Sequence, residues 1–86
     1  MHYCYILKSL KDSSYYTGST KDLKARLAKH NHKEVTYSSS KAPFKIAWYG
    51  AFESKELALA FEKYLKSSSG LAFRNKRLLE ISKNRE

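Results

Sequence analysis

Among the side chains of this chain that could do chemistry are two phenols, a guanidinium, an imidazole and a carboxylate: Tyr5, Tyr16, Arg26, His30 and Glu62. A phenol or an imidazole can move a proton, a guanidinium fork matches phosphate oxygens, and a carboxylate is a hard oxygen ligand. Hydrolysis of a phosphodiester calls on groups of these kinds. Something must activate water, a cation must offset charge on the phosphorus oxygens, and the leaving oxygen must be stabilised. A metal such as Mg²⁺ keeps several of its waters, so one protein carboxylate plus the substrate phosphate suffices to hold it.

These residues lie far apart along the chain, so the elements between them must bring them together. Tyr3 to Leu7 and Tyr15 to Gly18 are rich in aromatic and branched residues and flank the polar Lys11-Asp12-Ser13-Ser14, which predicts a β-hairpin. A turn centred on Asp12 and Ser13 puts residues 5, 7 and 9 on one face with residues 16, 18 and 20, so that Tyr5 and Tyr16 point the same way. An odd-length loop or a bulge would break that parity. Ser19 or Thr20 caps a helix to about Asn31, with Asp22 in its first turn. Leu23 and Leu27 form its buried stripe, while Asp22, Arg26 and His30 form a second, mostly polar stripe that can face a cleft.

The serine-rich, basic stretch 32–42 reads as a loop ending at Pro43, and Phe44 to Phe52 as a third strand. Ser54 caps a second helix through about Lys66, with Leu57, Phe61, Tyr64 and Leu65 as its apolar face and Glu62 at the margin of that face. Ser67-Ser68-Ser69-Gly70 breaks the chain before a last helix, Leu71 to about Ser82. On that helix Asn75 falls inside the apolar stripe and needs a polar partner.

At 86 residues the chain has room for one core and not for two. With 42% hydrophobic and 29% charged residues it can bury that core. Seventeen Lys and Arg against eight Asp and Glu give a formal charge of +9, and the sequence pI is about 9.7. Such a balance attracts polyanions by counterion release and steering, so nucleic acid is the leading partner. Charge restricts the partner and says nothing of chemistry; ribosomal proteins share it. Cys4 is the one cysteine, which excludes an intramolecular disulfide and a multi-cysteine zinc site and suits a reducing cytoplasm. No apolar run approaches the roughly 20 residues of a membrane span, and the N-terminus lacks the order of a signal peptide. A cytoplasmic protein away from the membrane is expected.

Cys4-Tyr5-Ile6 in the first strand, Tyr16-Thr17-Gly18 in the second and Arg26 on the next helix resemble the GIY-YIG endonuclease domain. The likeness extends through His30-Asn31, Pro43-Phe44-Lys45-Ile46, Trp48-Tyr49, the segment from Ala60 to Ser67, Ser69-Gly70, Phe73 and Lys76-Arg77-Leu78. It is with the small single-domain branch of that superfamily and covers roughly residues 3 to 79. Each piece alone is common by chance; the ordered set is specific. The resemblance implies an α/β (α+β) fold, a three-stranded antiparallel sheet flanked by helices, in a single domain over residues 1–86. It also implies cutting of nucleic acid with Mg²⁺ or Mn²⁺ and no small-molecule cofactor. Cys4 stands where the pattern has its first glycine and Thr17 where it has its second isoleucine; both suit a strand, and Cys4 reads as a small buried residue.

Carried over by position, Tyr16 resembles the tyrosine that accepts the proton of the attacking water, and Tyr5 its partner at the same phosphate. A free phenol titrates near 10, so such a base needs neighbouring cations or metal-bound water. The plain alternative is cross-strand aromatic packing. Gly18 matches the motif glycine, whose missing side chain lets backbone or phosphate come close, against an ordinary strand-ending glycine. Arg26 resembles the arginine on the scissile phosphate, against a helix ion pair with Asp22 worth a few tenths of a kcal/mol. His30 would activate the nucleophile or bind phosphate, against a surface histidine. Glu62 resembles the metal-binding glutamate, against a solvated helix glutamate. Asn75 would be the late asparagine of some superfamily members, or a buried structural amide.

Lys24, Lys41, Arg74 and Arg77 are expected on the nucleic acid, with Lys21, Lys29, Lys33 and Lys76 beside them, tracking a phosphate backbone; a solvated basic surface is the alternative. The reading is a metal-dependent DNA endonuclease in which water attacks in line with the leaving oxygen and no covalent intermediate forms. Single-stranded, duplex and branched DNA are not distinguished. A non-catalytic nucleic-acid-binding module with the same fold is the rival, and a basic RNA- or ribosome-binding protein a third reading.

Overall fold

The computed structural model describes residues 1–79, apart from the side chains of Thr36 and Tyr37. Strands β1 (His2–Ser9), β2 (Tyr15–Thr20) and β3 (Phe44–Phe52) form one antiparallel sheet in the order β2-β1-β3. Because β1 is central, its alternating side chains must be covered on both faces. Tyr5 and Leu7 lie under helix α1 (Leu23–Asn31), which contributes Leu23 and Leu27. Cys4 and Ile6 lie under helix α2 (Lys55–Leu65), helix α3 (Ser68–Phe73) and a π-helical turn (Arg74–Leu79), through Leu65, Phe61, Phe73, Leu78 and Leu79. All four β1 residues are at most 1% exposed.

The hairpin keeps the predicted sharing of faces but not the pairing. Leu7 stands opposite Tyr16 and Tyr5 opposite Gly18, because the turn closes one residue earlier than a centre on Asp12 and Ser13. The buried Ser9 hydroxyl sets that turn by accepting from the backbone of Lys11 and Asp12, at 3.1 and 3.2 Å, and Ser13 takes the left-handed conformation at φ 65°. Helix α1 starts later than expected. Thr20 is still paired with Tyr3, and Asp22, not Ser19 or Thr20, is the cap, accepting from Ala25 N at 3.0 Å.

The stretch expected to be an irregular loop contains a 3₁₀ helix (Thr36–Lys41) ahead of a cis Ala42–Pro43 bond. β3 and the Ser54 cap of α2 fall where predicted. The buried line of α2 is narrower than expected: Ala58, Phe61 and Leu65 face the sheet, while Leu57 and Tyr64 are exposed. Ser67 caps α3, so Ser68 to Gly70 begin the last helix instead of breaking the chain. Gly70 lies against the Tyr64 carbonyl, on which any Cβ would fall. Asn75 is exposed, not buried in an apolar stripe, because the wider π turn rotates it off the register an α-helix would give. The expected helix end near Ser82 lies outside the described residues. No helix among the described residues is long and apolar enough to cross a membrane.

Candidate active site

The pairing of Tyr5 with Gly18 creates the first feature of the site. A Cβ at Gly18 would stand 2.5 Å from the Tyr5 hydroxyl oxygen and 2.7 Å from Cζ, so the phenol lies across the space a side chain would take. It is Tyr5, and not open cleft, that occupies the room left by this glycine. Gly18→Ala should therefore force the phenol aside at a cost of about 1–3 kcal/mol. The check is a lower melting temperature; a protein that melts like the parent would contradict the close approach.

Helix α1 brings the next two groups in, since Arg26 and His30 are one turn apart on the face over Tyr5. The Arg26 Nε donates to the Tyr5 hydroxyl at 3.4 Å, and His30 Nε2 lies 3.2 Å from the same oxygen. His30 is fully buried, with its Nδ1 2.6 Å from the Ser38 hydroxyl, and Ser38 in turn donates to the Val35 carbonyl at 3.4 Å. In the tautomer with Nδ1–H facing Ser38, the Ser38 oxygen accepts from Nδ1–H, Nε2 accepts the Tyr5 proton and the Tyr5 oxygen accepts from Arg26. The chain of hydrogen bonds then runs in one direction from Arg26 to Val35. Tyr16 packs on the His30 ring with centroids 4.9 Å apart, and Phe44 closes the other approach at 5.7 Å.

Asn31 fixes the height of this helix end. Its amide accepts from Phe44 N at 2.6 Å and donates to Phe44 O at 3.2 Å, tying the last turn of α1 to the start of β3. Neither Asn31 nor Ser38 was picked out as a site residue by sequence. The signal for Asn31 was its place directly after His30, and for Ser38 there was none within a serine-rich stretch. Arg26 makes no ion pair with Asp22, whose carboxylate caps the helix instead.

The electrostatics follow from this packing. Burial pushes the Tyr5 phenol above its ordinary value; Arg26 draws it back, and the Tyr16 and Glu62 groups add to the rise. The Tyr5 hydroxyl, and after it the Tyr16 phenol, holds the Arg26 guanidinium more firmly charged. Burial first, and the Arg26 charge second, lower His30 below the usual imidazole range, so it is neutral at pH 7. Cys4, buried on the opposite face, is pushed up to about 12 by burial and then by Glu62.

Tyr5, Tyr16, Gly18, Arg26 and His30 thus share one face of the sheet. Glu62 comes from the other layer, on α2; its carboxylate accepts from Lys66 Nζ at 2.7 Å, and its field reaches Tyr5. Among the described residues no three His, Cys, Asp or Glu gather as a metal cluster. A half-buried lone carboxylate still fits a hard cation that takes most of its oxygens from phosphate and water. Lys24 and Arg77 are exposed; Lys41 is bound to Asp12 at 3.1 Å; Arg74 holds Asn75 Oδ1 at 2.9 Å through Nη2 and lies 5.2 Å from the Tyr15 ring centre.

A hairpin's phenols and the guanidinium and imidazole of the following helix thus come together in a basic α+β module, groups whose chemistry suits phosphate. The family model described as the GIY-YIG catalytic domain matches residues 1–76, and the chain belongs to that family. Its relatives include UPF0213 proteins: one of Clostridium perfringens is 39% identical over 95% of this chain and 84% of its own length. One of Halalkalibacterium halodurans is 42% identical over 79% of this chain and 72% of its own length. The solution NMR structure of a UPF0213 protein from Bacillus halodurans superposes with a TM-score of 0.56 at 32% identity, covering 96% of this chain and 92% of that one. The sheet and its flanking helices are those of a GIY-YIG fold, and the family is one of nuclease type acting on nucleic acid.

Proposed function

We propose that this chain is a DNA endonuclease that hydrolyses phosphodiester bonds with Mg²⁺ or Mn²⁺ and works in the cytoplasm. The observation that carries the reading is the convergence of Arg26 and His30, from one helix face, on the Tyr5 hydroxyl beside Tyr16. Side chains of core packing alone would not spend a buried histidine and a guanidinium on one phenol.

In this reading Arg26 binds the scissile phosphate, its fork turned by the bond from Nε to Tyr5. Tyr5, with its proton on His30, keeps its oxygen as the acceptor that orients Arg26. Tyr16 takes the proton of the attacking water, with the Arg26 cation beside it. Glu62, with substrate oxygens, would hold the divalent ion, which supplies positive charge to the phosphate oxygens. Gly18 admits the Tyr5 ring, and Lys24, Lys41, Arg74 and Arg77 draw the strand in.

The test is incubation of the purified protein with single-stranded, duplex and branched DNA in Mg²⁺, in Mn²⁺ and in chelator. Cutting of at least one substrate, lost in chelator, is the expected result. Binding without cutting under every condition would replace this reading with that of a non-catalytic binding module.

A further inference from the structure

β2 is an edge strand, and the surface is hollowed on both sides of its first two residues. One cavity, of about 440 Å³, has Tyr15, Tyr16, Thr17, Lys66, Leu71 and Arg74 among its walls. A smaller one, of about 220 Å³, is walled by Ser14, Tyr15, Tyr16, Ser38, Lys41 and Phe44. Tyr15 and Tyr16 are common to both. Tyr16 belongs to the candidate active site, whereas Tyr15 points to the other face and belongs to neither buried cluster. Its ring is 38% exposed, with the Arg74 guanidinium 5.2 Å and the Lys8 ammonium 6.0 Å from its centre.

An exposed aromatic ring next to a guanidinium, with leucine walls and cations at the rim, is more than a phosphate track needs. Lysines and arginines on any surface attract a backbone. A flat ring and a guanidinium plane are the two protein surfaces on which nucleobases stack. The larger cavity also falls in the range of about 300–1,000 Å³ common for small-ligand sites. A base inside a duplex has both faces covered by its neighbours and cannot enter it.

We infer that the cavity walled by Tyr15, Leu71 and Arg74 is a subsite for one unstacked nucleobase adjoining the phosphate held at Tyr16, the base taking the place over the Tyr15 ring where the Arg74 guanidinium now lies 5.2 Å from its centre. The inference rests on the reading that the Tyr16 side of β2 meets the substrate. Tyr15 supplies the stacking face, Leu71 the floor, and Arg74 and Lys66 hold the flanking phosphate.

The test is a cycle of two proteins and two strands, read by fluorescence anisotropy in chelator so that nothing is cut. The strands are a short labelled single-stranded DNA and the same length of abasic deoxyribose-phosphate. Tyr15→Ala should bind the base-bearing strand roughly 5- to 150-fold more weakly than the parent. On the abasic strand the two proteins should bind alike, because the lost partner is the base itself. Tyr15→Phe, which keeps the ring, should recover most of the affinity. Tyr15→Leu, which keeps the bulk without the π face, should not, and it separates stacking from any loss of folding in the alanine variant. An equal penalty on both strands, or none on either, overturns the subsite while leaving the nuclease reading intact. Absence of binding by the parent to the base-bearing strand overturns the subsite, and the nuclease reading is then decided separately by cleavage of duplex or branched DNA in Mg²⁺ or Mn²⁺.

Discussion

Glu62→Ala lowers the rate of DNA cleavage by at least roughly 10²- to 10³-fold, the loss typical when one preorganised charge is removed from a transition state, and leaves the fold nearly untouched. Two facts separate these effects. The Glu62 carboxylate engages Lys66 in an i,i+4 ion pair whose lysine is more than half exposed, and such pairs contribute only about 0.2–1 kcal/mol. The field of the same carboxylate reaches the Tyr5 phenol and adds to its rise. Its loss therefore appears in the cleavage step at saturating metal and DNA, with melting shifted by a few degrees at most. Affinity for DNA in chelator should hold or rise, since a negative charge leaves a basic surface. A variant that cuts as fast as the parent would remove Glu62 from the site.

Which parts of this arrangement the chain discloses by itself depends on how locally each is determined. Tyr5 and Tyr16 share a face because strand alternation survives a shift of two in pairing, so the error in the turn centre cost nothing at the site. Arg26 and His30 follow from helical spacing. β3 was legible from Pro43 to Ser54 because turn and cap residues bracket an aromatic run. Features that depend on distant partners were not. The start of α1 is delayed by the pairing of Thr20 with Tyr3, a contact invisible to capping preference. The 3₁₀ helix is hidden in a serine-rich stretch that composition assigns to loop, and with it the partnership of Ser38 and His30. The exposure of Asn75 comes from a π turn that no helical wheel represents.

These two layers divide the labour of the molecule. The α1 face holds a set of bonds on Tyr5, with Gly18, Asn31 and Ser38 around it, while Lys66 and Arg74 come from the α2 and α3 side to the β2 edge. Residues from the two layers meet where β2 has no strand beyond it, in the cavity walled by Tyr16, Lys66 and Arg74. An edge strand is normally a liability for pairing with other chains; here its first turn is flanked by cations, Lys8 and Arg74, that suit an anionic strand better than another sheet.

The largest effect on stability is expected at His30. His30→Ala removes a fully buried ring from among Tyr5, Tyr16 and Phe44 and leaves the Tyr5 and Ser38 hydroxyls without their partner. Truncation of a buried aromatic side chain costs about 3–5 kcal/mol, and unpaired buried hydroxyls add to it. In a domain of this size each kcal/mol moves the melting temperature by about 4–8 °C, so a fall of more than about 12 °C should be measured. His30→Gln, which keeps some hydrogen bonding, should lose less and isolates the titration. Burial, then Arg26, lowers the folded-state value of His30 below its ordinary 6.5. As pH falls through about 6.5 the unfolded chain takes up this proton and the folded chain does not, so unfolding is favoured. The stabilisation from neutral His30 is thus complete above about pH 6.5 and declines below it, until the folded protein is protonated too. The gap in melting temperature between parent and His30→Gln should therefore narrow between about pH 7.5 and about pH 5, the other histidines cancelling because both proteins carry them. Parallel curves across that interval would show that His30 binds its proton as readily folded as unfolded, and that burial beside Arg26 does not hold it neutral.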